Sequence, residues 1–486
     1  MLSGLKEATN VAYTTNGARA YKTTESALVD FFSKGGALRN ASESEVISLF
    51  TKAYAENPLY AMKALFYIRD VRGGQGERET FKRILRYMAI NHTNEIANNV
   101  WAISEYGRFD DLYVLFGTPL EEYSLNLIKG RLLYDLDQEH PSLLAKWLPS
   151  ENASSPKTKS LAKKIRSYLG MTPRQYRQTL SALRRRIDIV ESKMSSSNWD
   201  TIEYDKLPSK AGLQYRNAFL RHDNERYTDF ITKVSTGESK VNVSTLFPYE
   251  IISKFPISMQ ITVRNQRMYN AIVGNLDATE EMLLDGMWKN LPDYVGSNFE
   301  NALAVVDTSG SMNGTPIQVA LSLGLYLAER NQGEFHNHFI TFSRSPELQA
   351  IQGTTLGEKI RNMSTAEWQS NTDLEKVFDL VLNTAVRKSL SQSELPTKLF
   401  IISDMQFDQA RSNRNSDVTL INTMRAKYAS HGYNLPELVF WNVNAVGGNF
   451  PVKVTEAGVA LVSGCSPSIF KNLLAGKDMT PYSLMM

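Results

Sequence analysis

Three stretches of the chain put an acid or a hydroxyl directly against an apolar run. AVVDTSGSM (304–312) sets Asp307, Ser309 and Ser311 in the pattern D-x-S-x-S; SNTDLEKVF (370–378) sets Thr372 at the start of a helix; FIISDMQFD (400–408) sets Asp404 directly after an apolar strand. Carboxylate and hydroxyl oxygens are hard ligands, and a group of them suits an octahedral divalent cation, magnesium first and manganese second. Taken singly, each stretch reads as a helix cap or a turn former. Taken as three loops in this order, they point to one shared cation site.

The same residues fit catalysis less well. A phosphoryl-transfer site built on Asp307 would need a second acid two residues on, where the chain has Ser309. No G-x-x-x-x-G-K-[ST] phosphate loop and no G-x-S-x-G elbow occurs, and the six scattered histidines offer no evident base for a serine nucleophile. The expectation is a non-catalytic binding site.

The elements that must gather these loops alternate in type. The β-type runs ALAVVD (302–307), HNHFITFS (336–343), KLFIIS (398–403), ELVFWNVN (437–444) and VALVSG (459–464) are interleaved with the helical patterns PIQVALSLGLYLAERN (316–331) and TDLEKVFDLVLNTAVRK (372–388). This alternation predicts a doubly wound α/β domain, a parallel sheet with helices on both faces and ligands at the carboxyl ends of its strands. D-T-S-G-S at 307–311 with Thr372 and Asp404 resembles the metal-ion-dependent adhesion site of von Willebrand factor A domains, over about residues 298–486. The resemblance implies that Asp307, Ser309, Ser311, Thr372 and Asp404 coordinate magnesium and leave one position for a carboxylate from an acidic protein partner.

Ahead of residue 298 the pattern is helical. SEVISLFTKAYAEN (44–57), PLYAMKALFYIRDV (58–71), ERETFKRILRYMAINH (77–92) and EIANNVWAISEYG (95–107) are successive amphipathic segments with short breaks. Such a string predicts helix pairs stacked as an α-solenoid of HEAT-like repeats. A polar stretch, PSENASSPKTKS (149–160), reads as a loop. Beyond it, TPRQYRQTLSALRRRIDIV opens with Thr172 placed to cap a basic helix and Pro173 at its first turn. The region 255–291 reads as mixed helix.

Charge is distributed unevenly along the chain, although the net value is only +3. Between Lys157 and Lys193 eleven basic residues, among them Lys163, Lys164, Arg174, Arg177, Arg184 and Arg185, face only Asp188 and Glu191. Arg174, Arg177, Arg184 and Arg185 fall near one side of a helix whose other side carries Leu180 and Leu183. A cationic stripe is what sequence-independent phosphate binding requires, although an acidic protein surface would meet it equally well. Lys210 and Arg216 extend the region, and Tyr204, Tyr215 and Tyr227 are interleaved as stacking surfaces for unpaired bases. Upstream, RDVRGGQGER (69–78) flanks a glycine-rich turn with Arg72 and Arg78, which suit either phosphate contact or ion pairs with nearby acids.

A helical half followed by a von Willebrand A-type half resembles the Ro autoantigen (TROVE) family. YTTNGARAY (13–21), YIRDVRGGQGER (67–78), EYGRFDDLYVLFG (105–117), LPSKA (207–211), LFPYEI (246–251) and SGCSPSIFKNLL (463–474) are similar to a related family found in plants, bacteria and phages. The resemblance implies a ring-closed helical module, residues 1–297, that binds small structured or misfolded RNA with single-stranded ends in a ribonucleoprotein or quality-control role. The second domain is expected at 298–486. The runner-up reading is a metal-dependent scaffold that grips an acidic protein without RNA.

Whole-chain properties fit a globular protein. Hydrophobic residues make up 42% and charged residues 22%, which favours neither a disordered nor a fibrous class. The sequence shows no apolar stretch long enough to span a bilayer and no secretory start, so a cytoplasmic protein is expected. One cysteine, Cys465, excludes an intrachain disulfide framework and a cysteine-based zinc site.

Overall fold

A computed structural model describes residues 4–5, 9–243, 246–264, 266–296, 301–342, 345–366, 373–408, 420–445, 447–474 and 479–485. The chain divides into two compact units, an α/β unit (Met1–Ile68, Gly73–Glu77 and Val243–Met486) and a helical unit (Arg69–Arg72 and Arg78–Asn242). Helical segments dominate the chain ahead of the six-stranded sheet, but the spatial partition does not follow the expected 1–297 and 298–486. Residues 11–68 and 246–296 belong with the sheet.

In the α/β unit a short antiparallel hairpin, β1 (Val11–Tyr13) and β2 (Arg19–Tyr21), comes first. A second hairpin, β3 (Ile257–Arg264) and β4 (Gln266–Val273), stands where helix was expected. ISMQITVR alternates apolar and polar residues at a period of two, which favours strand over helix. The main sheet contains β5 (Ala302–Asp307), β6 (His338–Phe342), β7 (Leu348–Ala350), β8 (Lys398–Ser403), β9 (Glu437–Asn442) and β10 (Val459–Ser463) in the order β10-β9-β8-β5-β6-β7. All neighbours run parallel except the edge pair β6 and β7.

Every residue of β5, β8 and β10 is buried, as continuous apolar strands covered on both faces must be. On one face Leu303, Val305, Leu399 and Ile401 pack with Leu374, Val377 and Phe378 of the Leu374–Lys388 helix. On the other face Gly324 of the Thr315–Arg330 helix lies against Val306, so closely that a β-carbon there would stand 2.5 Å from its Cγ2. The N-terminal helix Ala27–Gly35 packs along β10: Gly36 N donates to Ser463 Oγ at 3.0 Å, and Ser463 Oγ donates to Phe32 O at 3.3 Å.

In the helical unit the principal helices are Glu79–Asn91, Val100–Tyr106, Glu121–Leu136, Pro156–Tyr168, Pro173–Arg186, Ser209–His222 and Asn224–Thr236. Thr172 caps its helix in a reciprocal capping box with Gln175, and Pro173 occupies the first turn, as the sequence predicts. Tyr204, Phe219, Tyr227 and Phe230 form an aromatic cluster with ring centroids 4.9–6.3 Å apart. Among the described residues no helix is long and apolar enough to cross a membrane.

Candidate functional site

The strand order reverses at the β5–β8 pair, because β6 lies on one side of β5 while β8, next after β7 in the chain, lies on the other. Such a reversal opens a crevice at the carboxyl ends of the two strands. Asp307 is the last residue of β5 and Ser403 the last of β8, so the parallel pairing brings them together there. Asp307 is fully buried; its Oδ2 accepts from Ser403 Oγ at 2.5 Å and its Oδ1 from Ser309 N at 2.9 Å. Ser309 Oγ stands 3.1 Å from Ser311 Oγ. Asp404, also buried, accepts from Gln406 N through Oδ1 at 3.1 Å.

Electrostatics in this crevice are unfavourable for two bare carboxylates. Burial, reinforced by the Asp404 charge, pushes Asp307 up to about 7. Burial also raises Asp404, with the Ser311 hydroxyl and the Gln406 amide pulling it partway back. Asp404 Oδ2 and Thr308 Oγ1 are buried and make no hydrogen bond among the described residues. A buried acceptor without a donor calls for an ion or water, and a divalent cation would favour the ionised form of both acids. The donor set therefore fits magnesium or manganese, with Asp307, Ser309, Ser311 and Asp404 as the residues that would hold it. Thr372, expected as a further ligand, lies outside the described residues. Among the described residues no three or more His, Cys, Asp or Glu side chains are grouped so as to hold a metal ion, and this site has two carboxylates.

The expected cationic surface is partly redrawn. Arg174, Arg177 and Arg185 are exposed on the Pro173–Arg186 helix, and Lys163 on the Pro156–Tyr168 helix, with no acidic partner among the described residues. Lys164 is exposed but paired with Glu121 at 2.6 Å, and Lys210 is exposed. Arg184 turns inward instead: Nε donates to Ala145 O at 2.9 Å, Nη2 to Leu148 O at 2.8 Å and Nη1 to Ser150 Oγ at 3.1 Å. Its guanidinium ties the end of the Leu144–Trp147 helix, so it is not part of the stripe. Arg216 is buried and also leaves the surface.

The RDVRGGQGER arginines mostly serve packing. Arg69, 2% exposed, pairs with the fully buried Asp111 at 2.6 Å, and Arg78 Nε reaches the other Asp111 oxygen at 3.2 Å. Arg78 also pairs with Asp110, which removes it as a ready phosphate donor. Arg72 is exposed, with Nη1 donating to Glu105 O at 2.7 Å.

Tyr204 and Tyr227 are core residues rather than stacking surfaces, and Tyr215 is half-buried with its hydroxyl on Glu191. Exposed aromatics occur elsewhere: Tyr123 and Tyr134, 54% and 56% exposed, project from the Glu121–Leu136 helix, on one face with Gly130. A solvent-facing aromatic pair at eleven-residue spacing was the signal for them. Arg131 lies 5.1 Å from the Tyr134 ring, and Lys164 and Tyr168 of the Pro156–Tyr168 helix bond to Glu121 and Asn126 of the same helix.

Two family models match the chain. The domain of unknown function DUF2828 covers residues 14–115 and 131–297, and the domain of unknown function DUF7788 covers 301–482. The chain is also 32% identical over 517 residues to the uncharacterized protein L728 of Acanthamoeba polyphaga mimivirus, a match that spans 98% of this chain and 87% of the relative. The two models meet between residues 297 and 301, whereas the α/β unit recruits parts of both matched regions. With more than half its length under one model, the chain belongs to the DUF2828 family.

Proposed function

We propose that this chain is a non-catalytic, cytoplasmic RNA-binding protein that takes small structured or misfolded RNA into a ribonucleoprotein or quality-control role. The observation that carries the reading is the exposed set Arg174, Arg177, Arg185 and Lys163, cations in one helical unit without acidic partners among the described residues. Unpaired surface cations bind phosphates by releasing counterions, whatever the base sequence. Tyr123 and Tyr134 add sequence-tolerant stacking for unpaired bases. In this reading the helical unit is a HEAT-like stack of the kind the Ro resemblance implies. The α/β unit is then a von Willebrand A-type domain with a magnesium site, consistent with its strand order and its antiparallel edge strand.

A second reading has its own support. Asp404 Oδ2, buried and without a hydrogen-bond donor, suits a cation that a carboxylate of an acidic protein partner would complete. In that case the metal site is the working surface and RNA is irrelevant.

A mobility-shift assay with a small structured RNA carrying a single-stranded tail separates the two. The RNA reading expects a complex that salt dissolves and that is lost when Arg174, Arg177 and Arg185 are all changed to Glu. Failure of the wild type to shift RNA at low salt, combined with magnesium-dependent capture of an acidic protein, would replace it with the scaffold reading.

A further inference from the structure

We propose that the N-terminal β1–β2 hairpin is a clamp that positions Asp404 for cation binding, an inference that rests on the metal reading of the crevice. Met405, directly after Asp404, has φ +66, a left-handed conformation that is unfavourable for a non-glycine residue. Such a conformation persists only where the surroundings over-determine it. Two bonds are local: Met405 N donates to Ser403 Oγ at 3.0 Å and Gln406 N to Asp404 Oδ1 at 3.1 Å. The next three residues are all held by the hairpin tip. Thr15 N donates to Gln406 Oε1 at 2.8 Å, Asn16 Nδ2 to Gln406 O at 2.6 Å and Thr14 Oγ1 to Phe407 O at 2.6 Å, while Gly17 pairs with Asp408 as an antiparallel bridge.

Thr14 is the centre of this grip. It is buried, and its hydroxyl accepts from Ala18 N at 2.9 Å while donating to Phe407, so the hairpin turn and the loop share one atom. The turn itself needs Gly17, which sits at φ +87 and donates to Thr14 O. The hairpin is fastened at its other end. Tyr21 and Phe450 exchange backbone bonds of 2.8 Å, and Asn10 both donates to and accepts from Thr23 at 3.1 Å. The clamp thus runs from a fixed base to the backbone two to four residues beyond Asp404, and it assigns a role to the YTTNGARAY motif. Contacts outside the ligand set help fix a metal ligand's orientation, and loss of such support typically costs 10–100-fold in affinity.

The test uses the full chain and Mn2+ alone. Titration calorimetry should show Thr14→Val and Asn16→Ala each weakening Mn2+ binding by roughly 10–100-fold, with Thr14→Ser, which keeps the hydroxyl, close to wild type. In metal-free buffer, hydrogen exchange at the Met405 and Gln406 amides should quicken in Thr14→Val and not in Thr14→Ser. Unchanged Mn2+ affinity and unchanged exchange in both Thr14→Val and Asn16→Ala would overturn the clamp. Wild type that binds no Mn2+, with exchange still quickened in Thr14→Val, would instead overturn the metal reading and the clamp's purpose with it, leaving only a mechanical contact.

Discussion

Ser403 Oγ donates to Asp307 Oδ2 at 2.5 Å across the carboxyl ends of two adjacent parallel strands, and the next residue along, Asp404, adds a second buried carboxylate to the same crevice. The hydroxyl and amide donors to these two acids carry no positive charge to balance them. Asp307 is accordingly held up to about 7, by burial first and by the Asp404 charge second.

That elevation fixes the sign of a pH dependence. The folded-state value lies above the ordinary carboxylate value of 3.8, so the contribution to stability is complete below about 4 and is lost as pH rises through about 7. Metal-free protein should therefore lose stability across pH 4–7, by on the order of 1.4 kcal/mol per pH unit for this one group, and Asp307→Asn should flatten the loss. A divalent cation binds the ionised acids, so the rise in Tm with Mg2+ or Mn2+ should be larger at pH 8 than at pH 5. Thermal unfolding with and without metal at the two pH values checks this; an equal shift at both would contradict it.

Asp111 predicts a large stability effect away from the crevice. Its carboxylate receives Arg69 and Arg78 and caps its own segment through Arg108 N at 3.1 Å. Asp111→Ala strands the buried Arg69 charge, and removal of one partner of a buried pair costs about 3–5 kcal/mol. Urea unfolding followed by circular dichroism should show that loss, with Arg72→Ala, at an exposed side chain, near wild type.

Arg184 and Arg177 should separate stability from binding. Arg184→Ala removes three bonds to Ala145, Leu148 and Ser150, each worth about 1.5–3 kcal/mol when the donor is charged, and should lower the unfolding midpoint. Arg177→Ala should leave the midpoint unchanged and weaken RNA. Parallel urea unfolding and RNA titration of both variants check the contrast.

Tyr123→Ala and Tyr134→Ala should each weaken a single-stranded RNA by about 1–3 kcal/mol while leaving a blunt duplex less affected, since only unpaired bases offer a face for stacking. Tyr204→Ala should act on stability instead, because that ring is buried in the aromatic cluster.

The α/β part was readable because β5, β8 and β10 are continuous apolar runs, ended by Asp307, Ser403 and Ser463, a pattern that buried parallel strands leave in sequence. The positions of Asp307 and Asp404 followed from it. The cationic stripe was only partly readable. A helical wheel sets Arg184 near Arg177, yet a long side chain in the last turn can fold back onto neighbouring carbonyls, as Arg184 does. Tyr204 and Tyr227 are core residues, and aromatic spacing alone does not distinguish a core from a stacking platform. The hairpin's grip on Phe407 joins residues 393 apart in the chain, and a contact of that span leaves no local trace.

The most direct test of RNA binding through the exposed arginines is the salt dependence of affinity for a fluorescent single-stranded RNA, measured by anisotropy. For the wild type, log K should fall linearly with log salt. Changing Arg174, Arg177 and Arg185 to Ala together should reduce the magnitude of that slope by about 2, at roughly 0.7 per phosphate contact on a single strand. An unchanged slope in the triple variant, or a wild type that binds no RNA at low salt, would contradict the account.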